Sequence, residues 1–496
     1  MVTSFADVKA NVVSAITERI FYHDVVVKRP NGQCVKILCR PDQPHKGHIT
    51  EVMRAATVAL RRIIWPSTPI AILDYPEQTY RGRRLKLYTT AAIRAAREVT
   101  TRACAYLSSF LKHEKLPVVD GKRTVPRVIQ PRSPRYNVLV GRYLHHLEGI
   151  VYSKLATLLG GPTVMKGFNA EQVGDHFYKA WTQFSDPCAV GLDAHRFDQH
   201  VRSEMLKWEH SIYKMFYPGD KHFANLLKWQ LMNRGFIRAE DTVYEYIVDG
   251  GRCSGDMNTA MGNCLIMCSA LYVLLRVRQQ TGIRVLNNGD DVVLIGEKSE
   301  VMRVLPLIPS FFKEIGMVIK VEPPVYTFEE IEFCQTRPIM RGNAEPIMCR
   351  NVIPAMCKDI SSLRLLRGDA LKSQLGAVAK CGLALSDGVP VMGAFYSALL
   401  KDSSGADATK VHERFYEDGF YRLSAGLVHR GRAITPEARV SFNKAFGIPP
   451  DLQVALESEY NMLPPLMDQV VGRIPVPLVP YERGWLHEPW SGERPH

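Results

Sequence analysis

Asn287-Asn288-Gly289-Asp290-Asp291 stands between two apolar segments, residues 283–286 (Ile-Arg-Val-Leu) and residues 292–295 (Val-Val-Leu-Ile). Two β-prone runs separated by an Asn-Gly turn read as a hairpin, because both residue types accept the positive φ that a tight reversal needs. The tip then carries two adjacent carboxylates, Asp290 and Asp291. Taken alone it has two readings: a pair of metal-ligating acids, or ordinary hairpin punctuation.

Working upstream, residues 189–193 (Ala-Val-Gly-Leu-Asp) read as a short apolar strand ending at an acid, and a helical pattern starts nearby and runs to about Met215. In Gly191-Leu-Asp-Ala-His-Arg-Phe-Asp198 the acids Asp193 and Asp198 are separated by four residues, so a strand ending in a helical turn places both around one pocket. One acid would bind metal and the other sense sugar; alternatively Asp198 is an N-terminal helix acid favoured by the macrodipole. Between the two acidic elements, residues 252–263 (Arg-Cys-Ser-Gly-Asp-Met-Asn-Thr-Ala-Met-Gly-Asn) form a glycine-bearing loop entering a long helix of residues 257–278. Its small polar residues permit close approach to a ribose or a backbone; the plainer reading is a helix cap by Ser254 or Asp256.

Phosphoryl transfer between polyanions calls for cations, and hard cations take oxygen ligands. Two magnesium ions about 4 Å apart activate an attacking hydroxyl and stabilise a leaving oxygen. Asp193, Asp290 and Asp291 supply the carboxylates if their strands are neighbours.

The remaining sequence sets the frame. A chain of 496 residues, 46% apolar, buries a large core and forms two to four domains or one elaborated enzyme. Sixty-three Lys plus Arg against fifty Asp plus Glu give +13, which favours a polyanionic partner, although a solvated basic surface accounts for charge as well. Eleven cysteines without regular spacing argue for reduced thiols in an intracellular setting. Cys34, Cys39, His45 and His48 include zinc-ligand types, but their spacing favours strand cysteines followed by a polar loop. No secretory segment opens the chain. The longest apolar run, residues 264–277, falls short of the roughly twenty needed to span a bilayer and reads as a core helix, leaving no transmembrane segment.

Residues 25–39 read as two strands around Asn31-Gly32, and residues 48–65 and 88–112 as helices. Residues 112–142 are basic and proline-rich, which predicts an extended cationic arm outside the core. After Arg341 the pattern is mostly helical, and residues 464–496 read as irregular.

Acid pair, Ser-Gly loop and Gly-Asp-Asp hairpin, in this order, resemble the palm of positive-strand RNA virus polymerases, and more narrowly Tombusviridae-like plant virus replicases. Motif A looks like residues 191–200, motif B residues 254–263 and motif C residues 288–291. Lys112-His-Glu-Lys115 with residues 126–137 resembles motif F, and Tyr80-Arg-Gly-Arg-Arg84 the basic template-side segment. Residues 315–320 and 331–335 are similar to motifs D and E. The likeness covers residues 80–340 and is weaker through 435–457.

The resemblance implies an α/β (α+β) right hand. Residues 1–185 would be an N-terminal extension and fingers, 186–203 palm, 204–250 a fingers insertion, 251–340 palm, 341–463 a helical thumb and 464–496 a tail. It implies template-directed transfer of ribonucleotides to a 3′-hydroxyl. Asp193 and Asp290 would be the principal ligands of two Mg2+ ions, with Asp291 assisting and Mn2+ as a substitute. Asp198 and Asn258, supported by Thr259, would read the 2′-hydroxyl, while Ser254 and Gly255 contact template or nucleotide. Arg127 and Lys112 would bind the triphosphate, oriented by Glu114. Lys320 would protonate pyrophosphate. Arg81, Arg83, Arg84, Lys122, Arg123 and Arg132 would bind RNA. Implied partners are RNA template and product, nucleoside triphosphates, a viral auxiliary replication protein and host factors. The place would be host cytoplasm, at membrane-associated complexes reached through a partner or an N-terminal region. A reverse transcriptase is the enzymatic rival, disfavoured by Gly289 and the polar pair Asp198 and Asn258; a non-catalytic RNA-binding protein is the other.

Overall fold

The computed structural model describes residues 2–28, 33–117, 124–342, 344–363, 366, 368–401, 403, 419–463 and 478–479. Six elements position the site: strand β1 (Pro187–Ala194), helix α1 (Ser203–Phe216), helix α2 (Thr259–Tyr272) and strands β2 (Arg284–Asn288), β3 (Asp291–Glu297) and β4 (Ile319–Val321). The strands pair in the order β2-β3-β1-β4, antiparallel throughout.

Near-continuous apolar strands are what a sheet covered on both faces requires. Cys188, Val190, Leu192, Val292 and Leu294 face one core, shared with α1 and α2, while Ala189, Val293 and Ile295 face a second, shared with Phe177 and Phe333. The two-residue alternation therefore sorts each strand between two cores. α2 is buried almost all round and continues to Arg278 as a wider π-type segment. The resulting helix, Thr259–Arg278, is long and apolar enough by length and composition to cross a membrane, more than the shorter sequence run predicts, yet it lies mostly buried inside the protein.

Several sequence expectations need correction. Residues 88–112 are not one helix. A helix over Gly82–Arg97 gives way to a 3-10 turn and then to the strand Leu107–Leu111, whose buried Leu107, Ser109 and Leu111 alternate with exposed neighbours. The basic stretch is not an arm held outside the core. Val128–Ile129 pairs with residues 110–111, in a sheet completed by Met232–Ala239 and Thr242–Asp249. Pro134 opens a helix, Pro134–Leu144, whose residues 136–141 are all buried. A proline in the first turn gives up a donor that would be orphaned anyway, and Ser133 Oγ accepts from the Tyr136 N–H at 3.2 Å.

Strands His23–Lys28 and Cys34–Cys39 pair as expected, their turn lying outside the described residues. Cys34 and Cys39 lie at opposite ends of one strand, an odd number of residues apart, so they face opposite sides. Residues 48–65 form two helices, His48–Val52 and Arg54–Ile63. Beyond Arg341 the strand Pro346–Arg350 precedes the described helices and pairs with Thr336–Met340. Helix Ala170–Trp181 packs there, a Cβ on Gly174 meeting Pro346 backbone at 3.0 Å. The tail lies outside the described residues apart from Leu478–Val479, which pairs in parallel with Ser4 and Phe5.

Candidate active site

Register brings the predicted acids together. Asn288 pairs with Asp291, Asp291 with Asp193, and Asp193 with Lys320, so four side chains form one row across β2, β3, β1 and β4. Directly opposed residues share a face, with Cβ atoms about 5 Å apart. The row stands where the second core ends, and Asp193, Asp291 and Lys320 are exposed. Gly289 and Asp290 make the two-residue tip, Gly289 at φ +93 and the Asn287 side chain bonding Gly289 through both N–H and C=O.

The carboxylates reach solvent, but protein crowds them on most sides. Burial first, and then the charge of Asp291, push the Asp290 carboxyl up to about 6. Burial and Asp193 likewise raise Asp291. Burial sets the direction, and repulsion among like charges adds to it. Lys166 opposes it, donating through Nζ to Asn288 Oδ1 at 2.8 Å beside the hairpin tip. Cys334 Sγ donates to Asp291 Oδ2 at 3.4 Å and accepts from Asn288 Nδ2 at 3.0 Å.

Among the described residues no three His, Cys, Asp or Glu side chains form a ready-made metal cage. Mg2+ does not need one, since it keeps waters and takes phosphate oxygens beside one or two carboxylates. An oxygen-only donor set whose members repel one another suits a hard divalent cation.

Arg196 takes φ +48 after β1, bends the chain and donates to Asp24 Oδ1 at 2.7 Å and the Tyr22 carbonyl at 3.0 Å. Asp198 is thereby returned toward motif B. Its carboxylate accepts from the Ser254 hydroxyl and from Asn263 Nδ2 at 3.0 Å. Neither alternative cap reading holds: Asn258 is the N-cap residue, its side chain making no capping bond, Ser254 serves Asp198, and Asp256 binds Arg132. Gly255 has φ +119, a conformation that favours glycine. Thr259 Oγ1 donates to the Cys253 carbonyl at 3.0 Å, bracing the loop.

Asn258 is not beside Asp198. It is fully buried, donating to Glu209 Oε1 at 2.9 Å and accepting from Gln230 Nε2 at 3.1 Å, so its amide is consumed inside the protein. Asn263 takes the place expected of it. A spacing signal existed: Thr259 and Asn263 are one helical turn apart, on one face of α2.

Arg127 and Glu114 form a two-point pair, with Nε to Oε1 at 2.7 Å and Nη2 on Oε2, and Lys112 Nζ lies 3.4 Å from Glu114. Burial alone would raise the Glu114 carboxyl, yet Arg127 and Lys112 hold it below its ordinary range. Donation to Glu114 raises Arg127 first, and Asp290 and Asp198 add to it, so its guanidinium feels the acid cluster.

Arg132 must be withdrawn from the RNA-binding set. It is buried, donating to Asp256 at 2.5 and 3.0 Å, to the Ala105 carbonyl at 2.7 Å and to Asn233 Oδ1 at 2.8 Å. It fastens the motif B loop to the basic stretch, as does the Gln130 N–H on the Ser254 carbonyl at 2.7 Å. Arg81, Arg83 and Arg84 are exposed at the start of Gly82–Arg97, Arg81 Nη1 donating to the Glu77 carbonyl at 2.7 Å and the Tyr80 carbonyl at 2.8 Å. Lys122 and Arg123 lie outside the described residues. Sequence reasoning missed Lys166, Glu209, Arg252 and Cys334; a buried arginine two residues before Ser254 had no local signature.

The chain belongs to the viral RNA-dependent RNA polymerase family, whose profile matches residues 2–467. It is 38% identical over 463 residues to the RNA-directed RNA polymerase of tobacco necrosis virus (strain A), covering 93% of this chain and 62% of that protein. Identity to the carnation mottle virus enzyme is 38% over 454 residues, 92% of this chain and 58% of the relative. For turnip crinkle virus it is 37%, over 91% of this chain and 57% of the relative. The chain thus spans about six-tenths of the length of these relatives.

Proposed function

We propose that this chain is the polymerase part of a plant-virus replicase, transferring ribonucleotides from nucleoside triphosphates to the 3′-hydroxyl of a growing RNA on an RNA template. The supporting observation is the single row of Asp291, Asp193 and Lys320 beside Asp290, faced by Arg127 and flanked by Asp198 with Asn263.

Asp193 and Asp290, assisted by Asp291, would hold two Mg2+ ions, or Mn2+ in their place. Bound there, the ions supply the positive charge that activates a hydroxyl and offsets charge on the leaving oxygen. Arg127 offers the triphosphate a fork of donors and Lys112 a point charge, while Glu114 keeps both in place. Asp198 accepts from, and Asn263 donates to, the 2′-hydroxyl, a group that does both and distinguishes RNA from DNA. Ser254 and Gly255 lie close to nucleotide or template. Lys320, one strand from Asp193 on the same face, delivers a proton to the departing pyrophosphate.

In this reading the sheet and α2 are the palm of a right hand. The sheet of residues 107–111, 128–129 and 232–249 belongs to the fingers, and the helices beyond residue 350 form the thumb. Arg81, Arg83 and Arg84 line the template side. An auxiliary viral protein, host factors and membrane-associated complexes in host cytoplasm complete the proposed setting.

The test is RNA synthesis by purified protein on an unprimed RNA template with magnesium. Native chain makes product; Asp290→Asn lowers synthesis at least about a thousandfold while RNA binding survives. Undiminished function in that variant would favour a non-catalytic RNA-binding protein, and preference for deoxynucleotides a reverse transcriptase.

A further inference from the structure

The amide of Asn263 is oriented from behind. Its Nδ2 faces Asp198, and its Oδ1 accepts from Arg252 Nε at 2.9 Å. The two ends of an asparagine amide are nearly the same size, so hydrogen-bond partners decide which end faces the pocket. Arg252 has only donors to offer; it takes the carbonyl end and leaves the NH2 aimed at Asp198. Arg252 is itself fixed by Glu209 of α1, Nη1 reaching Oε1 at 3.2 Å and Nη2 bonding Oε2. Glu209 also accepts from Asn258 and, at 2.6 Å, from the Tyr213 hydroxyl.

The Arg252 and Glu209 side chains are 1% and 0% exposed. Gly262 makes room for them: a Cβ there would lie 2.4 Å from Glu209 Oε1 and 2.5 Å from Arg252 Nη2. A buried ion pair contributes little to stability compared with apolar packing, and its best-attested use is to fix an arrangement.

We propose that Arg252 and Glu209 are positioning residues for sugar selection, holding Asn263 so that its NH2 stays presented to the 2′-hydroxyl when the nucleotide engages Asp198. The inference rests on the polymerase reading above. Without Arg252, Asp198 alone orients the amide; once the carboxylate turns to the sugar, the amide is free to flip and offer its oxygen.

Single-nucleotide incorporation by the full chain, with a ribonucleotide and the matching 2′-deoxynucleotide, tests this. The variants are Arg252→Lys, Glu209→Gln, Asn263→Ala and the double variant Asn263→Ala/Arg252→Lys. Arg252→Lys and Glu209→Gln are expected to lower the ribo-to-deoxy ratio of kcat/KM about tenfold, mainly through the ribonucleotide KM. In the Asn263→Ala background, Arg252→Lys should leave that ratio unchanged, because its route is already cut. A uniform loss with both substrates, or additive effects in the double variant, overturns the proposal. Should Arg252→Lys fail to fold, Glu209→Gln, which keeps shape and an acceptor for Arg252, decides by the same ratio. A native chain that incorporates neither nucleotide removes the polymerase reading itself; native selection that the variants retain sinks the positioning role alone.

Discussion

Arg127 and Arg132 lie five positions apart in one basic, proline-rich stretch, and each meets a carboxylate through Nε and Nη2. Arg127 stays about half exposed, its partner Glu114 16% exposed, and its charge reaches Asp290 and Asp198. Arg132 and Asp256 are 1% and 5% exposed, with further donors spent on Ala105 and Asn233. The first guanidinium is open to water, so under the proposed function it would exchange Glu114 for a phosphate. The second cannot, since withdrawing it would strand a buried carboxylate. Identical pairing chemistry yields a solvent-reaching pair at the surface and a structural rivet inside.

Stability measurements should separate the two most sharply. Arg132→Met is expected to lower the unfolding free energy by about 3–5 kcal/mol, leaving Asp256 buried and unpaired. Arg127→Met should cost no more than about 1 kcal/mol, as for other solvent-reaching pairs. Denaturant titration of both variants measures this, and equal losses would erase the distinction.

Kinetics sharpens the same contrast. Arg127→Lys keeps the charge but loses the fork, so KM for the nucleoside triphosphate should rise about tenfold with a smaller change in kcat. A fall in kcat with unchanged KM would place Arg127 away from the triphosphate.

The smallest effect concerns the acid cluster, where charges have no such partner. Asp290 titrates near 6 in the folded chain, above its ordinary range. The folded state therefore binds that proton more tightly than the unfolded state, and its contribution favours folding at low pH and is lost as pH rises through about 6. Without divalent cations, Asp290→Asn should stabilise the protein at pH 8 by about 1 kcal/mol, the shift being discounted because the carboxylate reaches solvent, and by about half as much at pH 5. Thermal melts at the two pH values check the sign; destabilisation at pH 8 would mean the charge is already compensated.

Much of the architecture was legible because it rests on short-range rules. Asn287-Asn288-Gly289 announced a reversal, the apolar runs on either side announced buried strands, and the hairpin formed with Gly289-Asp290 at its tip. The long apolar helix was also readable. Errors arose where local composition and packing disagree. Prolines in residues 126–134 argued against helix, yet Pro134 sits at the one helical position that welcomes it. Residues 107–111 looked helical by continuity but alternate in burial.

Within the candidate site, residue types were easier to foresee than pairings. Asp193, Asp290, Asp291 and Asp198 declared themselves by position at a strand end, a hairpin tip and a following turn. Asn258 and Asn263 both follow the Ser-Gly loop, and only the winding of α2 decides that the second meets Asp198 while the first is spent on Glu209. Arg132 shared its composition and neighbours with Arg127.

Dihedral preference, side-chain alternation and charge act over a few residues, so turn, strands, core helix and acidic tips follow from local order along the chain. Burial depends on what arrives from far away. Asp256 reaches Arg132 across 124 positions, and Asp291 meets Asp193 only through strand register. Which arginine is a rivet, which asparagine faces the pocket and which acids share a row were settled by that long-range packing, because a polar group's role depends on the water and partners left to it.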